Sequence, residues 1–457
     1  MSLRIQTISL MLLCPLLLAS PSSAHAQRNP ASAREFVRVR DRGFIIGDRP
    51  YHFAGVNFWF AMQLGAEHGG DRARLVRELD HLHRLGITNL RIMASSEGPS
   101  SEPQRIHPAV QEAPGRYDEN QLRGLDFVLA ELAKRDMRAV LILNNFFQWS
   151  GGMAQYVSWA TGTPIPYPET PGHTWDEFQN YSARFYTLDF AQKLFERYAR
   201  ALLMRRNTIT GVSYAGDPTI MSWQLSNEPR GFAQADAYVK WVDRAGAFVK
   251  RYAPRQLVSL GGEGKLAQDA VNTRFEQVSH SPFIDYLPVH IWIEYWGWYD
   301  PINPAMTLDR SLGRSMGYLA DHVAIARAVG KPLVVEEFGV SRDGRNYASD
   351  APTSVRDHFL AFMLEGVQHL AAENEPVAGA NVWSWSGESI PARAGMLWRD
   401  GDPLTGDPPH ERQGWYSIYD SDSTTLGIIS DYARRMDTLT VRKWATPVPR
   451  QPKKAGH

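Results

Sequence analysis

The sequence has little cysteine, no excess charge of either sign, and no long apolar run beyond its first residues. Its one cysteine, Cys14, lies within an N-terminal apolar segment, so the rest of the chain offers neither a disulfide nor a thiolate ligand for a metal. Lysine plus arginine number 49, and aspartate plus glutamate also number 49. This balance argues against nucleic-acid binding through a basic surface. No later segment reaches the roughly 18 apolar residues of a membrane helix, so no membrane-embedded domain is predicted.

The N-terminus has the pattern of an export signal. Arg4 precedes an apolar run over residues 8–18, and small residues end the segment at Ala26. The pattern predicts cleavage after Ala26 and a secreted or periplasmic protein without membrane attachment. We also expect the protein to be a monomer. The predicted division of the chain is a signal peptide over residues 1–26, one catalytic domain over residues 27–440, and a solvated basic tail over residues 441–457.

Short apolar segments alternate with amphipathic ones, which is typical of a parallel β/α fold. Eight segments have strand character: Tyr51–Asn57, Asn89–Met93, Arg138–Asn144, Thr219–Ser226, Gln256–Leu260, Tyr286–His290, Pro332–Glu337 and Gly379–Trp385. Helical periodicity lies between them, at Asp71–Leu85, Glu119–Arg135, Leu188–Met204, Ala233–Tyr252, Ser315–Val329 and Ser354–Ala372. Eight units without a dividing linker predict a single (β/α)8 TIM barrel.

Two connections are long, Phe146–Tyr186 after the third strand and Ser386–Thr425 after the eighth. Both begin at carboxyl ends of strands, the face on which barrel enzymes build their active sites. Polar and aromatic residues occupy the same strand ends: Arg91, Asn144, Asn145, Asn227, Glu228, Arg230, His290, Glu337, Trp383 and Trp385. Carboxylates, amides and indoles on one rim suit a sugar ligand. The chain has 14 tryptophans, and others could stack on sugars or simply pack in the core: Trp59, Trp149 and Trp292.

Two acids at opposite strand tips suit glycosidic bond cleavage. One carboxyl protonates the leaving oxygen, and the other stabilises or captures the anomeric carbon. Strands four and seven face each other across a barrel mouth, so Glu228 and Glu337 are predicted to meet at the roughly 5 to 5.5 Å of retaining enzymes. Proximity would raise the pKa of the proton donor, and an arginine would keep the nucleophile ionised. Strand alternation is expected to turn only one of Glu336 and Glu337 inward. No metal or organic cofactor is predicted, because the protein supplies both acids.

Several motifs carry a family resemblance: Ser226-Asn227-Glu228-Pro229-Arg230, Asn144-Asn145-Phe146 followed by Gly151-Gly152, Gly261-Gly262-Glu263-Gly264, Glu336-Glu337-Phe338-Gly339, and the segment from Pro408 to Asp420. Together with the eightfold alternation, they make the chain resemble glycoside hydrolase family 5, and its β-mannanase branch in particular. The resemblance implies a retaining endo-β-1,4-mannanase whose substrate is β-mannan or mannooligosaccharides.

The resemblance also implies roles for individual residues. Glu228 would be the acid/base and Glu337 the nucleophile, with Arg91 and Asn227 holding the nucleophile and the sugar 2-hydroxyl. The remaining implied roles are His290 near the acids, Trp385 as the platform under the reacting mannose, and Arg230 in the leaving-group subsites. The family's tyrosine beside the nucleophile has no counterpart in His290-Ile291-Trp292, and Tyr295 is a candidate for it.

Other functions stay open at this point. The long insertions could block one end of the cleft and produce an exo-acting β-mannosidase or mannobiohydrolase. Another β-1,4-glycanase, such as a cellulase, is a further alternative, as is a non-catalytic glycan-binding protein on the same scaffold. Residues 313–317 match the G-x-S-x-G motif of serine hydrolases, although no apolar strand precedes them.

Overall fold

A computed structural model describes residues 35–265 and 273–439. The predicted signal peptide over residues 1–26 and the basic tail over residues 441–457 lie outside the described residues, and both stay predictions. None of the described helices is long and apolar enough to cross a membrane.

Eight parallel strands form the centre of the fold: Phe53–Asn57, Asn89–Met93, Arg138–Ile142, Ile220–Gln224, Leu257–Ser259, Leu287–Ile291, Leu333–Phe338 and Val377–Val382. In chain order they are strands one to eight, and their order in the sheet is 5-4-3-2-1-8-7-6. A backbone hydrogen bond of 2.8 Å from Asp285 N to Val258 O crosses the seam between strands five and six. Val258 N in turn donates to the Asp285 carboxylate at 2.7 Å. The sheet therefore closes, and the predicted TIM barrel is confirmed.

Helices surround the barrel: Ala61–Leu64, Arg72–Arg84, Glu119–Lys134, Asp189–Leu203, Ala235–Tyr252, Phe275–Ser279, Pro304–Val329, Ser354–Ala372 and Ser423–Asp437. The six predicted helices are all present. Asp71 and Asp118 cap two of them by accepting hydrogen bonds from backbone N–H groups of the first turn.

One helix is longer than predicted. It begins at Pro304, where proline is tolerated in the first turn, and not at Ser315. The G-x-S-x-G segment therefore lies inside a helix, and the buried Ser315 hydroxyl donates to Ser311 O at 2.9 Å. A nucleophile elbow requires an exposed serine at a strand-to-helix turn, so the serine hydrolase alternative is excluded.

The amino-terminal end of the barrel is closed by short antiparallel strands, Val37–Arg40, Gly43–Ile46 and Arg49–Pro50. Val37 and Phe44 from this hairpin pack in an apolar cluster with residues that begin the barrel strands, such as Phe53, Met221 and Val334. Substrate access is therefore confined to the carboxyl end.

Both long insertions lie at the carboxyl end. The insertion after strand three contains the helices Gly152–Thr161 and Trp175–Ala183. The insertion after strand eight is largely irregular, and its two ends are joined by pairing of Trp385–Gly387 with Ile418–Tyr419. A further hairpin, Gln111–Ala113 with Arg116–Tyr117, precedes the helix Glu119–Lys134.

Candidate active site

Two glutamates meet at the mouth of the barrel. Glu228 follows strand four, Glu337 lies within strand seven, and both are buried. One carboxylate oxygen of each, together with a ring nitrogen of His290, lies within 4.8 Å of the others. This separation is close to the roughly 5 to 5.5 Å at which one carboxyl can attack while the other protonates.

The backbone at Glu228 is unusual. Its φ is +46°, a left-handed conformation that side-chain-bearing residues rarely adopt and that clusters at functional sites. Glu228 N donates to Gly261 O at 2.8 Å, and Gly261 itself has φ +84°. A Cβ at position 261 would lie 2.0 Å from Ser226 O, so only glycine allows the loop after strand five to support the Glu228 backbone.

His290, at the end of strand six, bridges the two acids. Its Nδ1 lies 2.6 Å from Glu228 Oε1 and 3.3 Å from Glu337 Oε2. Burial, together with the nearby Arg91 charge, lowers the pKa of His290 to about 3, so the ring is neutral at pH 7. A neutral ring with its proton on Nδ1 donates to the carboxylates and fixes their relative position.

Arg91 ties the nucleophile candidate to strand four. Its guanidinium is buried and donates from Nη1 to Glu337 Oε1. Nη2 donates to Asn227 Oδ1 at 2.8 Å, and Nε donates to Gln224 Oε1 at 2.9 Å. Each of the three guanidinium nitrogens donates to an acceptor, so Arg91 cannot rotate freely and holds the Glu337 carboxylate in one orientation.

The two acids differ in their electrostatic surroundings. Burial raises the pKa of Glu228 and, together with the charge of Glu228, that of Glu337. Arg91 opposes the rise at Glu337 through direct contact. The charges of Arg230 and Arg91, together with the indole N–H of Trp292, oppose the rise at Glu228. Two buried carboxyls this close disfavour double ionisation. The two carboxyls therefore share one proton and one negative charge.

Strand seven departs from regular alternation. Val289 pairs with Val335 and His290 pairs with Glu337, so one residue is skipped at Glu336. The Glu336 carboxylate accepts from Gln224 Nε2 at 2.6 Å, and it lies 3.6 Å from Arg91 Nε. Both acids thus contact the arginine, and the expectation that only one faces inward is wrong.

A cavity of about 940 Å³ opens above the two acids. Its aromatic lining includes Phe147, Trp149, Trp175, Trp292, Trp383 and Trp415, and its polar lining includes Glu169, Gln179, Arg230, Glu263, His410 and Glu411. The Trp383 and Trp292 rings pack edge to face at 5.7 Å beside the acids. Among the predicted site residues, the cavity brings together Asn227, Glu228, Arg230, Glu337, Trp149, Trp292 and Trp383.

Trp385 lies outside the cavity, contrary to the role expected for it. Strand eight ends at Val382, so strand alternation does not relate Trp383 to Trp385. The Trp385 indole N–H donates to Glu78 Oε2 at 3.0 Å on the helix Arg72–Arg84, behind the barrel wall. Trp383, two residues earlier, lines the cavity instead.

Three other predicted contacts support the cavity without lining it. Trp59 is buried and donates to Gly406 O at 2.8 Å. Asn145 Oδ1 accepts from Asn227 Nδ2 at 3.2 Å, and Asn144 Oδ1 accepts from Asn145 N at 2.9 Å. The Trp59, Asn144 and Asn145 side chains thus hold the ends of the strands beneath the cavity.

Arg230 lies at the edge of the cavity beside a third acid. Its Nε donates to Glu263 Oε2 at 2.7 Å, and its Nη1 donates to Gln179 Oε1 at 3.0 Å. Burial raises the pKa of Glu263 to about 7 even with this ion pair in place. The charged head of Arg230 is thereby fixed at the edge of the cavity.

The sequence interpretation missed His410, Glu411 and Trp415 as lining residues, although the segment from Pro408 to Asp420 was one of its motifs. Tyr295 does not take the expected place beside the nucleophile. Its hydroxyl donates to Glu411 Oε1 at 2.7 Å.

Glu228, His290 and Glu337 could together hold a metal ion by spacing alone.

The fold is a closed β/α barrel, and one carboxylate oxygen of Glu228 lies within 4.8 Å of one of Glu337 at the tips of strands four and seven. This arrangement is typical of a retaining glycosidase. Residues 34–441 match the family model "GH family 5 beta-mannosidase-like". A glycoside hydrolase family 5 mannosidase from Rhizomucor miehei is 39% identical, with a TM-score of 0.80, over 89% of this chain and 98% of that chain. A mutant of that enzyme in complex with mannosyl-fructose is 38% identical, with a TM-score of 0.81 and the same coverage.

Mannan endo-1,4-beta-mannosidase 5 of Arabidopsis thaliana is 29% identical over 86% of this chain and 87% of its own length. The chain therefore belongs to glycoside hydrolase family 5, in its β-mannosidase-like group, and it is a glycoside hydrolase. The resemblance inferred from the sequence motifs is confirmed.

Proposed function

We propose that the protein hydrolyses β-1,4-mannosidic bonds of mannan or mannooligosaccharides by double displacement with retention. The observation that carries this proposal is the 4.8 Å limit on the separation of the Glu228 and Glu337 carboxylate oxygens. The names of the relatives from Arabidopsis thaliana and Rhizomucor miehei support mannose as the sugar.

In the first step Glu337 attacks the anomeric carbon, and Glu228 gives its proton to the departing oxygen. The glycosidic C–O bond breaks, a mannosyl ester forms on Glu337, and the shortened sugar leaves as an alcohol. In the second step Glu228 takes a proton from water, whose oxygen attacks the same carbon and releases the sugar from Glu337. Both acids return to their starting states.

Other residues would orient the sugar. Asn227 is held by Arg91 and lies between the acids and strand three, where its amide can reach the 2-hydroxyl. Trp383 offers an apolar face beside Glu337, and Arg230 with Phe147 would bind the leaving group. Each of these assignments stays a proposal, as do export by a signal peptide and a monomeric state.

The test is covalent trapping. A 2-deoxy-2-fluoro-β-mannosyl fluoride should form a stable ester on one peptide, and mass spectrometry should locate it at Glu337. Glu337→Ala and Glu228→Ala should each abolish hydrolysis of β-1,4-mannan while leaving folding intact. Labelling of another residue, or full activity in either variant, would reject the proposed roles. Absence of any label would favour a non-catalytic glycan-binding protein.

Two modes of action are candidates. The name of the Arabidopsis thaliana relative supports endo-action within mannan chains. A specific contact favours exo-action, because the two long insertions meet across the mouth. The Trp149 ring from the strand-three insertion and the His410 ring from the strand-eight insertion stack at 6.3 Å with only 3° between their planes. Such a bridge would block extension of the sugar chain on that side.

Product analysis on mannohexaose separates these modes. Exo-action should release mannose or mannobiose from the first minutes, whereas endo-action should produce intermediate lengths first. Parallel assays on galactomannan and cellulose would report the tolerance of branches and the choice of mannose over glucose.

A further inference from the structure

A buried carboxyl that the proposed mechanism does not use contacts the arginine that holds the nucleophile. Glu336 precedes Glu337 in strand seven, is 1% exposed and does not line the cavity. Its Oε2 accepts from Gln224 Nε2 at 2.6 Å and lies 3.6 Å from Arg91 Nε. Its Oε1 accepts from the Tyr286 hydroxyl at 3.1 Å. The side chain therefore does not touch a sugar in the cavity, but both of its oxygens have fixed partners beneath it.

Arg91 is shared between two carboxylates. Its Nη1 donates to Glu337, whereas its Nε faces Glu336 and donates to Gln224 Oε1 at 2.9 Å. Gln224 also connects the arginine to the second acid, because its Nε2 donates to Glu336. Arg91 and the two carboxylates are all buried, so water and salt screen their charges little. The charge of Arg91 is therefore divided between Glu337 and Glu336, and Glu337 does not receive all of it.

The charge of Glu336 also acts directly on the nucleophile. Burial raises the pKa of Glu337, the Arg91 charge lowers it, and the charges of Glu228 and Glu336 raise it further. Arg91 thus stabilises the negative charge of Glu337, and Glu336 destabilises it. Both effects matter for the reaction, because the charge on Glu337 is consumed in the first step and restored in the second.

We propose that Glu336 is a positioning residue whose charge, opposing that of Arg91, sets the balance between formation and breakdown of the mannosyl ester on Glu337. This inference rests on the proposed double displacement. In the first step Glu337 bonds to the anomeric carbon while the bond to the leaving group breaks, and a less stable carboxylate is the better nucleophile. In the second step the bond from Glu337 to that carbon breaks while water adds, and the same carboxylate is the worse leaving group. Glu336 therefore speeds the first step and slows the second.

The test measures the two steps separately. Ester formation with 2-deoxy-2-fluoro-β-mannosyl fluoride is followed as loss of activity on p-nitrophenyl β-D-mannopyranoside, and ester breakdown as its return once excess reagent is removed. Glu336→Gln removes the charge and keeps the shape of the side chain. Formation should become about 3- to 10-fold slower and breakdown about 3- to 10-fold faster, as expected of one charge outside the reacting pair. The dissociation constant of the reagent should not change, because Glu336 does not touch the sugar.

Three further variants separate an effect of charge from an effect of structure. A distorted site would slow both steps, whereas loss of the charge changes their rates in opposite directions. Glu336→Asp keeps the charge, so its ratio of formation to breakdown should stay within about threefold of the wild-type ratio. Tyr286→Phe is the matched control, because it removes a hydrogen bond from the same carboxylate, keeps the charge and should leave the ratio unchanged. Glu336→Met is a second variant without the charge and should change the ratio as Glu336→Gln does.

The outcomes separate the two proposals. If the wild-type protein forms no ester and hydrolyses no β-mannoside, the proposed function fails, and this inference fails with it. If the wild-type protein is active but both rates fall together in Glu336→Gln, or neither changes, the proposed function stands and the role of Glu336 is overturned. Failure of both charge-free variants to fold would show that the fold itself requires the charge, and it would overturn the role as well.

Discussion

Replacement of Glu228 by glutamine should separate the two chemical steps. Glutamine keeps an oxygen that can accept from Trp292 and His290, but it can neither give nor take a proton. General acid/base catalysis contributes about 10²- to 10⁴-fold, which corresponds to about 3 to 5 kcal/mol of activation free energy. We therefore expect kcat on mannobiose, whose alkoxide leaving group needs protonation, to fall by at least about 10³-fold.

The loss should depend on the leaving group. A 2,4-dinitrophenolate leaves without a proton, so Glu228→Gln should form the mannosyl ester on Glu337 at a nearly normal rate. The ester should then accumulate, because no base activates water. An initial burst of dinitrophenolate followed by slow turnover is expected, and azide, which attacks without a base, should restore turnover and yield β-mannosyl azide. Equal losses on both substrates, or no rescue by azide, would refute the assignment.

The same variant has a stability signature. Burial raises the pKa of Glu228 above 4.5 in the folded state, so the folded protein holds that proton more tightly than the unfolded chain does. This group therefore destabilises the fold progressively as the pH rises from the unfolded pKa through the folded pKa. Glu228→Gln removes that penalty, and its melting temperature should exceed that of the wild type at pH 7 but not at pH 4.

Three further changes test the supporting structure. Arg91→Met should destabilise the fold by about 3 to 5 kcal/mol in urea denaturation, because it leaves the Glu337 and Glu336 carboxylates buried without their cation; a loss under 1 kcal/mol would contradict the charge network. Gly261→Ala should cost at least about 1 kcal/mol and lower kcat, because the new Cβ would collide with Ser226 O; unchanged kcat would contradict support of Glu228 by this loop. Trp383→Phe should lower kcat/KM on mannobiose, whereas Trp385→Phe should lower the melting temperature with kcat/KM retained, and the reverse result would restore Trp385 as the sugar platform.

The barrel and its central acids were accessible from sequence for physical reasons. Buried parallel strands are short apolar runs, and each of the eight predicted runs overlaps an observed strand. Strand order in a barrel follows chain order, so a residue that ends a strand is automatically placed on the rim. That rule sufficed to bring Glu228 and Glu337 together without any knowledge of loops.

The sequence-based predictions were wrong or incomplete where the regular geometry of the barrel strands ends. The skipped residue at Glu336 depends on the pairing with strand six, and no local sequence signal marks it. The family resemblance implied Trp385 as the sugar platform, at the end of a predicted strand that runs three residues beyond the observed end at Val382. The Trp149 to His410 contact joins residues more than 250 positions apart, in two different long insertions, and neither propensity nor periodicity predicts such a pairing.

The strand-eight insertion has little regular structure, but buried hydrogen bonds anchor it at several points. The buried Asp407 carboxylate accepts from Gly414 N at 2.8 Å and from Tyr416 N at 2.6 Å, while Arg356 Nη1 donates to Ser417 O at 2.9 Å. Backbone groups that a helix or strand would pair internally are here paired with buried side chains. Such a segment opens only if several buried hydrogen bonds break together. His410 and Glu411, which this insertion contributes to the cavity lining, are thus held in place before any ligand binds.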